Sequence, residues 1–195
     1  MASRADFLEI EHKFLVGAEF DPAAFRRAAL ALGPTRTTEL RVEDTYFVTA
    51  LDPGLVFRYR TDAERQELTL KSRGEGDAEV RTEINLRLDP AVGDQRAAVE
   101  ALLAPFRIAW QGTIEKDILV FYYPDCEVVH YRAASGGREL RCVEFEATGG
   151  ADVAASLAVL ERYEARFGFA GATRVRESLF ELLLMPQMPA SLQPA

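Results

Sequence analysis

Along residues 7–16, FLEIEHKFLV, charged positions alternate with apolar or aromatic ones, the period-two pattern of a β-strand with two unlike faces. Strand patterns recur at 38–48, 55–61, 66–73 and 79–88, separated by Asp52-Pro53-Gly54, Thr61-Asp62-Ala63 and Gly74-Glu75-Gly76-Asp77, which suit hairpin loops. Residues 105–123 and 125–147 are strand-like again, and the second stretch is the clearest hairpin, with Ser135-Gly136-Gly137 at its turn. Helical punctuation is sparser. Asp21 as N-cap and Pro22 in the first turn open a helix that Gly33-Pro34 stop. A second helix is predicted over 90–104, after Asp89, and two more over 151–167 and 174–184. With no repeat and no interdomain linker, the pattern predicts one α+β domain of about eight strands over 1–185, and a proline-rich, disordered tail at 186–195.

The informative feature is which residues share a strand face. Glu9, Glu11 and Lys13 do, as do Arg58 with Arg60, Thr69 with Lys71, Arg81 with Glu83 and Asn85, and Glu144 with Glu146. Bulky apolar residues take the opposite positions: Leu8, Ile10 and Phe14; Phe57 and Tyr59; Leu68 and Leu70; Val143 and Phe145. A sheet wetted on one side would show single charges of this kind. Repeated Glu-x-Glu and Arg-x-Arg pairs fit that less well, because like charges repel: at 4 Å the cost is roughly 4 kcal/mol for an effective dielectric near 20. A divalent cation between carboxylates removes the conflict, and hard cations such as Mg²⁺ or Mn²⁺ take carboxylate, phosphate and water oxygens together. The arginines can fork onto phosphate oxygens, while Lys13, Lys71 and Lys116 act as point charges.

These residues resemble the CYTH domain, or triphosphate tunnel metalloenzymes. Glu9-Ile10-Glu11-His12-Lys13 matches the family's N-terminal ExExK signature, and Asp44-Thr45-Tyr46-Phe47, Phe57-Arg58-Tyr59-Arg60, Leu70-Lys71-Ser72, Arg81-Thr82-Glu83 and Glu144-Phe145-Glu146 come after it in order. Ser178-Leu179-Phe180-Glu181-Leu182-Leu183 is similar to the closing helix motif, so the likeness runs from about 7 to 184. The resemblance implies an eight-stranded antiparallel closed β-tunnel with helices packed outside. It implies a metal, Mg²⁺ or Mn²⁺, held by Glu9, Glu11, Glu144 and Glu146 with help from Glu83, and phosphates held by Lys13, Arg58, Arg60, Lys71, Arg81 and Lys116. Glu9, Glu11 and Lys13 are the catalytic candidates. The chain also departs from the family pattern. Glu115-Lys116-Asp117-Ile118 lacks the arginine of a Lys-x-Arg pair, and the seventh strand shows no clear acidic residue, with His130 in that region. A lysine before the final motif is missing, leaving Arg174 or Arg176 to supply its charge.

The implied activity is metal-dependent hydrolysis of an inorganic or organic triphosphate. A class IV-type adenylate cyclase is the alternative within the family, and a non-catalytic polyphosphate-binding module the alternative outside enzymology. A net charge of −8 argues against a nucleic-acid surface, and no apolar run reaches the roughly 18 residues of a membrane span. Two cysteines without CxxC spacing and two histidines make a zinc site or disulfide framework unexpected. With no signal-peptide pattern at the start, the expected compartment is the cytoplasm, the expected partner a small triphosphate, with a homodimer left open. His12 alternates away from the acids and is expected outside the tunnel; Cys126 and Cys142 are expected as ordinary strand residues, and Trp110 as core.

Overall fold

A computed structural model describes residues 8–52, 55–72 and 80–193; the side chains of Leu8, Ser72, Val80, Arg81 and Thr82 lie outside that description. So do Pro53-Gly54 and the expected turn at 74–77. Eight antiparallel strands form the sheet: β1 (Leu8–Leu15), β2 (Arg36–Thr49), β3 (Leu55–Thr61), β4 (Gln66–Ser72), β5 (Val80–Leu88), β6 (Ile108–Tyr122), β7 (Cys126–Ser135) and β8 (Arg138–Ala147). Their order, β1-β5-β4-β3-β2-β6-β7-β8, returns to β1, so the sheet curls into a tunnel-like α+β barrel. Among the described residues, β1 pairs with β8 from Glu11 to Leu15 and with β5 over Leu8–Ile10. Gly136 and Gly137, with φ of 56° and 78°, make the tight β7–β8 turn, a geometry that favours glycine.

Three helices pack on the outside: α1 (Pro22–Ala31), α2 (Arg96–Leu103) and α3 (Val153–Phe167). The Asp21 carboxylate accepts from the Ala23 and Ala24 amides at 2.9 and 3.0 Å, and Asp152 accepts from the Ala155 amide at 2.8 Å, capping α1 and α3. α1 and α3 cover Phe14, Phe121, Val128 and Phe145 on the outward faces, while α2 brings Val99 and Leu103 onto Phe47, Phe57 and Leu68. His12 and His130 are outward as well. His12 is paired with Glu164 of α3, and the His130 ring lies 5.0 Å from Phe20.

The C-terminal segment differs from the reading of the sequence. Instead of a helix over 174–184, the chain makes a π-helical turn at Phe180–Leu184 and 3-10 turns at Met185–Gln187 and Ala190–Leu192. This segment does not pack on the barrel exterior. Leu179, Phe180, Leu183, Leu184 and Met188 enter one end of the tunnel, against Tyr46, Val48, Val56, Ile114 and Ala133. Those partners share faces with Asp44, Arg58 and Lys116, so the inward surface turns from polar to apolar along the tunnel and the segment fills the apolar end as a plug. Trp110 belongs to the same plug, edge-on to Phe180 at 6.4 Å, and a Cβ at Gly112 would collide with its ring. Met188 is 4 % exposed, so part of the stretch expected as a disordered tail packs on this cluster. The helix expected over 90–104 is also shorter: Asp89 caps only a 3-10 turn at Pro90–Val92, Gly93 breaks out at φ 85°, and α2 begins at Arg96.

Candidate functional site

The polar half of the tunnel encloses a cavity of about 930 Å³. Alternation turns Glu9, Glu11, Lys13, Arg58, Arg60, Lys71, Glu83, Lys116, Glu144 and Glu146 into it, all from the predicted set. Arg81 stands opposite Glu9 in the β1–β5 register, but its side chain lies outside the described residues.

Register brings the two ExE pairs together: Glu11 is opposite Glu146, and Lys13 opposite Glu144. Lys13 Nζ lies 3.3 Å from Glu11 Oε1 and 3.2 Å from Glu144 Oε1. The Tyr131 hydroxyl donates to the same Glu144 oxygen at 2.6 Å. Lys71 Nζ lies 3.1 Å from Glu9 Oε2 and is also paired with Glu83. Arg58 Nη2 donates to Thr69 Oγ1 at 3.0 Å and to Glu83 Oε1 at 3.1 Å, with Glu67 Oε1 at 3.8 Å. Arg60 forks onto Asp44 through Nε at 2.7 Å and Nη2 at 2.9 Å, and Lys116 joins the same carboxylate.

The electrostatics arise from burial and crowding. Burial pushes the Glu9 carboxyl up to about 7, with Glu11 and Glu83 adding to it and Lys71 opposing. Glu146 is raised well above the usual carboxylate range by burial and by the charges of Glu9, Glu11, Glu127 and Glu83. Asp44 goes the other way. Burial would raise it, but Arg60 and Lys116 hold it well below the ordinary value. Lys116 is lowered to about 8, by burial and by Arg60, against the pull of Asp44.

Glu67 and Glu127 also line the cavity and lie outside the quoted motifs, while Asp44, inside one of them, is buried against Arg60 and Lys116 without an assigned role in the sequence reading. Asp44 and Glu67 share a face with recognised positions, Tyr46 for the one and Thr69 with Lys71 for the other, so a signal for them exists in the sequence. Glu127 supplies an inward acid on the seventh strand, where the sequence shows no clear one. Val129 and Tyr131 succeed it on that face, so no charge repeat marks it. Burial raises its carboxyl, while Arg36 and Arg65 draw it down.

The donor set fits a divalent cation in chemistry: Glu9 and Glu146, raised by burial and then by the neighbouring carboxylates, form the crowded inward set that an oxygen-seeking dication relieves. Among the described residues, no three Asp, Glu, His or Cys side chains stand close enough together to hold a metal by themselves. A metal here would therefore take part of its shell from phosphate and water, as Mg²⁺ commonly does. No described helix is long and apolar enough to cross a membrane.

Solved structures share the fold. A Pyrococcus horikoshii protein, PH1012, superposes with a TM-score of 0.70 at 20 % identity, covering 90 % of this chain and 99 % of its own. A Bacillus halodurans protein assigned as an adenylate cyclase gives 0.58 at 19 %, covering 91 % and 99 %. A Hippeastrum protein assigned as an adenylyl cyclase, with a dominant triphosphatase activity, gives 0.58 at 17 %, covering 94 % and 97 %. No curated protein sequence matches the chain. The CYTH domain family model matches residues 8–119, more than half of the sequence and every strand from β1 to most of β6, and on that ground the chain belongs to the CYTH family.

Proposed function

We propose that this protein is a divalent-metal-dependent triphosphatase that hydrolyses a triphosphate inside the tunnel, with Mg²⁺ or Mn²⁺ as the ion. The observation that carries the reading is the division of one cavity between an acidic wall on β1, β8 and β7 and a basic wall of Arg58, Arg60, Lys71 and Lys116. Glu9, Glu11 and Glu146 would hold the metal, with Glu144 and Glu83 beside them. When bound, such an ion would supply positive charge that offsets the charge developing on the transferred phosphoryl group.

The chain's own residues do the rest. Arg58 and Arg60 fork onto phosphate oxygens, with Lys71 and Lys116 adding charge, so the phosphate chain is held in place by groups that already point at it. Each of these cations rests on a carboxylate, so substrate binding is an exchange of partners: phosphate replaces carboxylate on Arg58, Arg60 and Lys71. Glu9 and Glu83, released from Lys71, then become available to a metal or to a water. Lys13, between Glu11 and Glu144, steadies both carboxylates.

Phosphate release from inorganic triphosphate and nucleotides with Mg²⁺ and Mn²⁺ tests this directly, with pyrophosphate and cyclic nucleotide measured in parallel. Orthophosphate release that Glu9→Gln and Glu11→Gln each reduce at least a hundredfold, with the fold intact by circular dichroism, is the expected result. Cyclic AMP with pyrophosphate would make the protein a cyclase; tight metal-independent binding without turnover would make it a binding module.

A further inference from the structure

On β8 the inward face runs Glu146, Glu144, Cys142, Leu140, and on β7 Tyr131 stands opposite Cys142, where acid gives way to apolar. The Tyr131 ring belongs to the plug cluster, with Leu179, Phe180, Leu183 and Leu184, while its hydroxyl reaches back to Glu144 on the acidic wall. Tyr131 is 2 % exposed, and packing against the plug asks only for its ring. A buried phenolic hydroxyl costs free energy unless it is hydrogen-bonded, and here its partner is a carboxylate, the stronger kind of acceptor. Burial and the charge of Glu144 push the Tyr131 phenol well above its usual range, so it keeps its proton and remains a donor.

What hangs on this bond is the place of Lys13. The Tyr131 hydroxyl and Lys13 Nζ meet on the same oxygen, Glu144 Oε1, at 2.6 and 3.2 Å. Lys13 Nζ also stands 3.3 Å from Glu11 Oε1 and 3.5 Å from the Glu177 carbonyl. Its ammonium is a point charge on a flexible four-carbon stem, so a buried lysine takes its position from the groups around it. Of these four contacts the tyrosine's is the shortest, and it comes from a stiff side chain with only two torsions, packed into the plug. Held on Oε1 from two sides, the Glu144 carboxylate has its rotation fixed.

We infer that Tyr131 is a positioning residue for triphosphate hydrolysis: anchored by the plug, its hydroxyl fixes the Glu144 carboxylate and, through it, the ammonium of Lys13. This rests on the triphosphatase proposal and adds a residue that acts through Glu144 and Lys13 instead of by contact with phosphate. It also gives the plug a part in the chemistry, since the ring that it packs carries the hydroxyl. Arg58, Arg60, Lys71 and Lys116, which take the phosphate chain, lie on β3, β4 and β6. Substrate binding is therefore expected to survive loss of the hydroxyl, while the step that needs charge held in one place slows.

The test is Tyr131→Phe in the whole protein, which removes one oxygen and keeps the ring against the plug, with circular dichroism to verify the fold. With Mn²⁺ and inorganic triphosphate, kcat should fall roughly 10- to 100-fold, the loss of one hydrogen bond to a charged group, while KM moves less than about threefold. Calorimetric binding of a non-hydrolysable imido analogue of triphosphate should likewise stay within about threefold. Tyr131→Phe combined with Glu144→Gln should be no slower than Glu144→Gln alone, because the hydroxyl acts through that carboxylate; a tyrosine that served packing only would multiply the two losses. An unchanged kcat in Tyr131→Phe, a rise in KM alone, or multiplied losses in the double variant would overturn the positioning role and leave the triphosphatase standing. No turnover of any triphosphate by the unsubstituted protein would overturn both.

Discussion

At the scale of single residues, Asp44 anchors the basic wall. Fully buried, it is the counter-charge to both Arg60 and Lys116, which would otherwise repel each other from the two strands that flank β2. Removing one partner of a buried ion pair leaves an uncompensated charge and costs about 3–5 kcal/mol. Asp44→Ala should therefore lose stability of that order in urea denaturation, and added triphosphate should recover part of it by taking the carboxylate's place. Glu9 illustrates the opposite strain. Its carboxyl is raised from 4.5 to about 7, so its protonated form favours the fold: that contribution is whole below about pH 4.5 and lost as the pH rises through about 7. A metal needs the ionised form, so Mn²⁺ binding should tighten over the pH range in which the metal-free protein loses stability. Denaturation and calorimetry between pH 5 and 8 would show both trends, and Glu9→Gln should flatten them. Much of this is legible in the sequence, because a face of Glu-x-Glu or Arg-x-Arg advertises itself. Glu67 and Glu127 are harder to see, since each is a single acid whose partners lie on other strands.

At the scale of elements, period-two alternation places the strands, and Asp21 and Ser135-Gly136-Gly137 mark a helix start and a turn by local chemistry. The C-terminal segment cannot be read this way. Ser178 and Glu181 do form a capping pair, with the Ser178 amide donating to Glu181 at 2.6 Å and the Glu181 amide to Ser178 Oγ at 3.2 Å. Beyond that pair the chain is shaped by the tunnel end it fills, and tertiary packing overrides helical propensity there. Leu183, 1 % exposed, lies in that plug, so Leu183→Ala should cost about 2–5 kcal/mol by denaturant titration and loosen the cavity floor.

On the scale of the whole molecule, an acidic protein carries a basic interior wall. The formal charge of −8 sums the whole chain, while Arg58, Arg60, Lys71 and Lys116 gather on one inner wall, so bulk charge conceals the ligand class that strand faces reveal. A ligand that joins both walls should stabilise the native state in proportion to its saturation, by about 2.7 kcal/mol at a hundred times its dissociation constant. A rise in melting temperature with triphosphate plus Mg²⁺, larger than with either alone, would show that the walls act as one site. The plug adds a constraint on traffic. Among the described residues one end of the tunnel is filled, so what enters at the other end must come out past the same threshold, and two fragments cannot overtake each other. On the proposed hydrolysis, the fragment nearer the floor would leave only after the one nearer the rim, so release of the outer fragment would pace turnover.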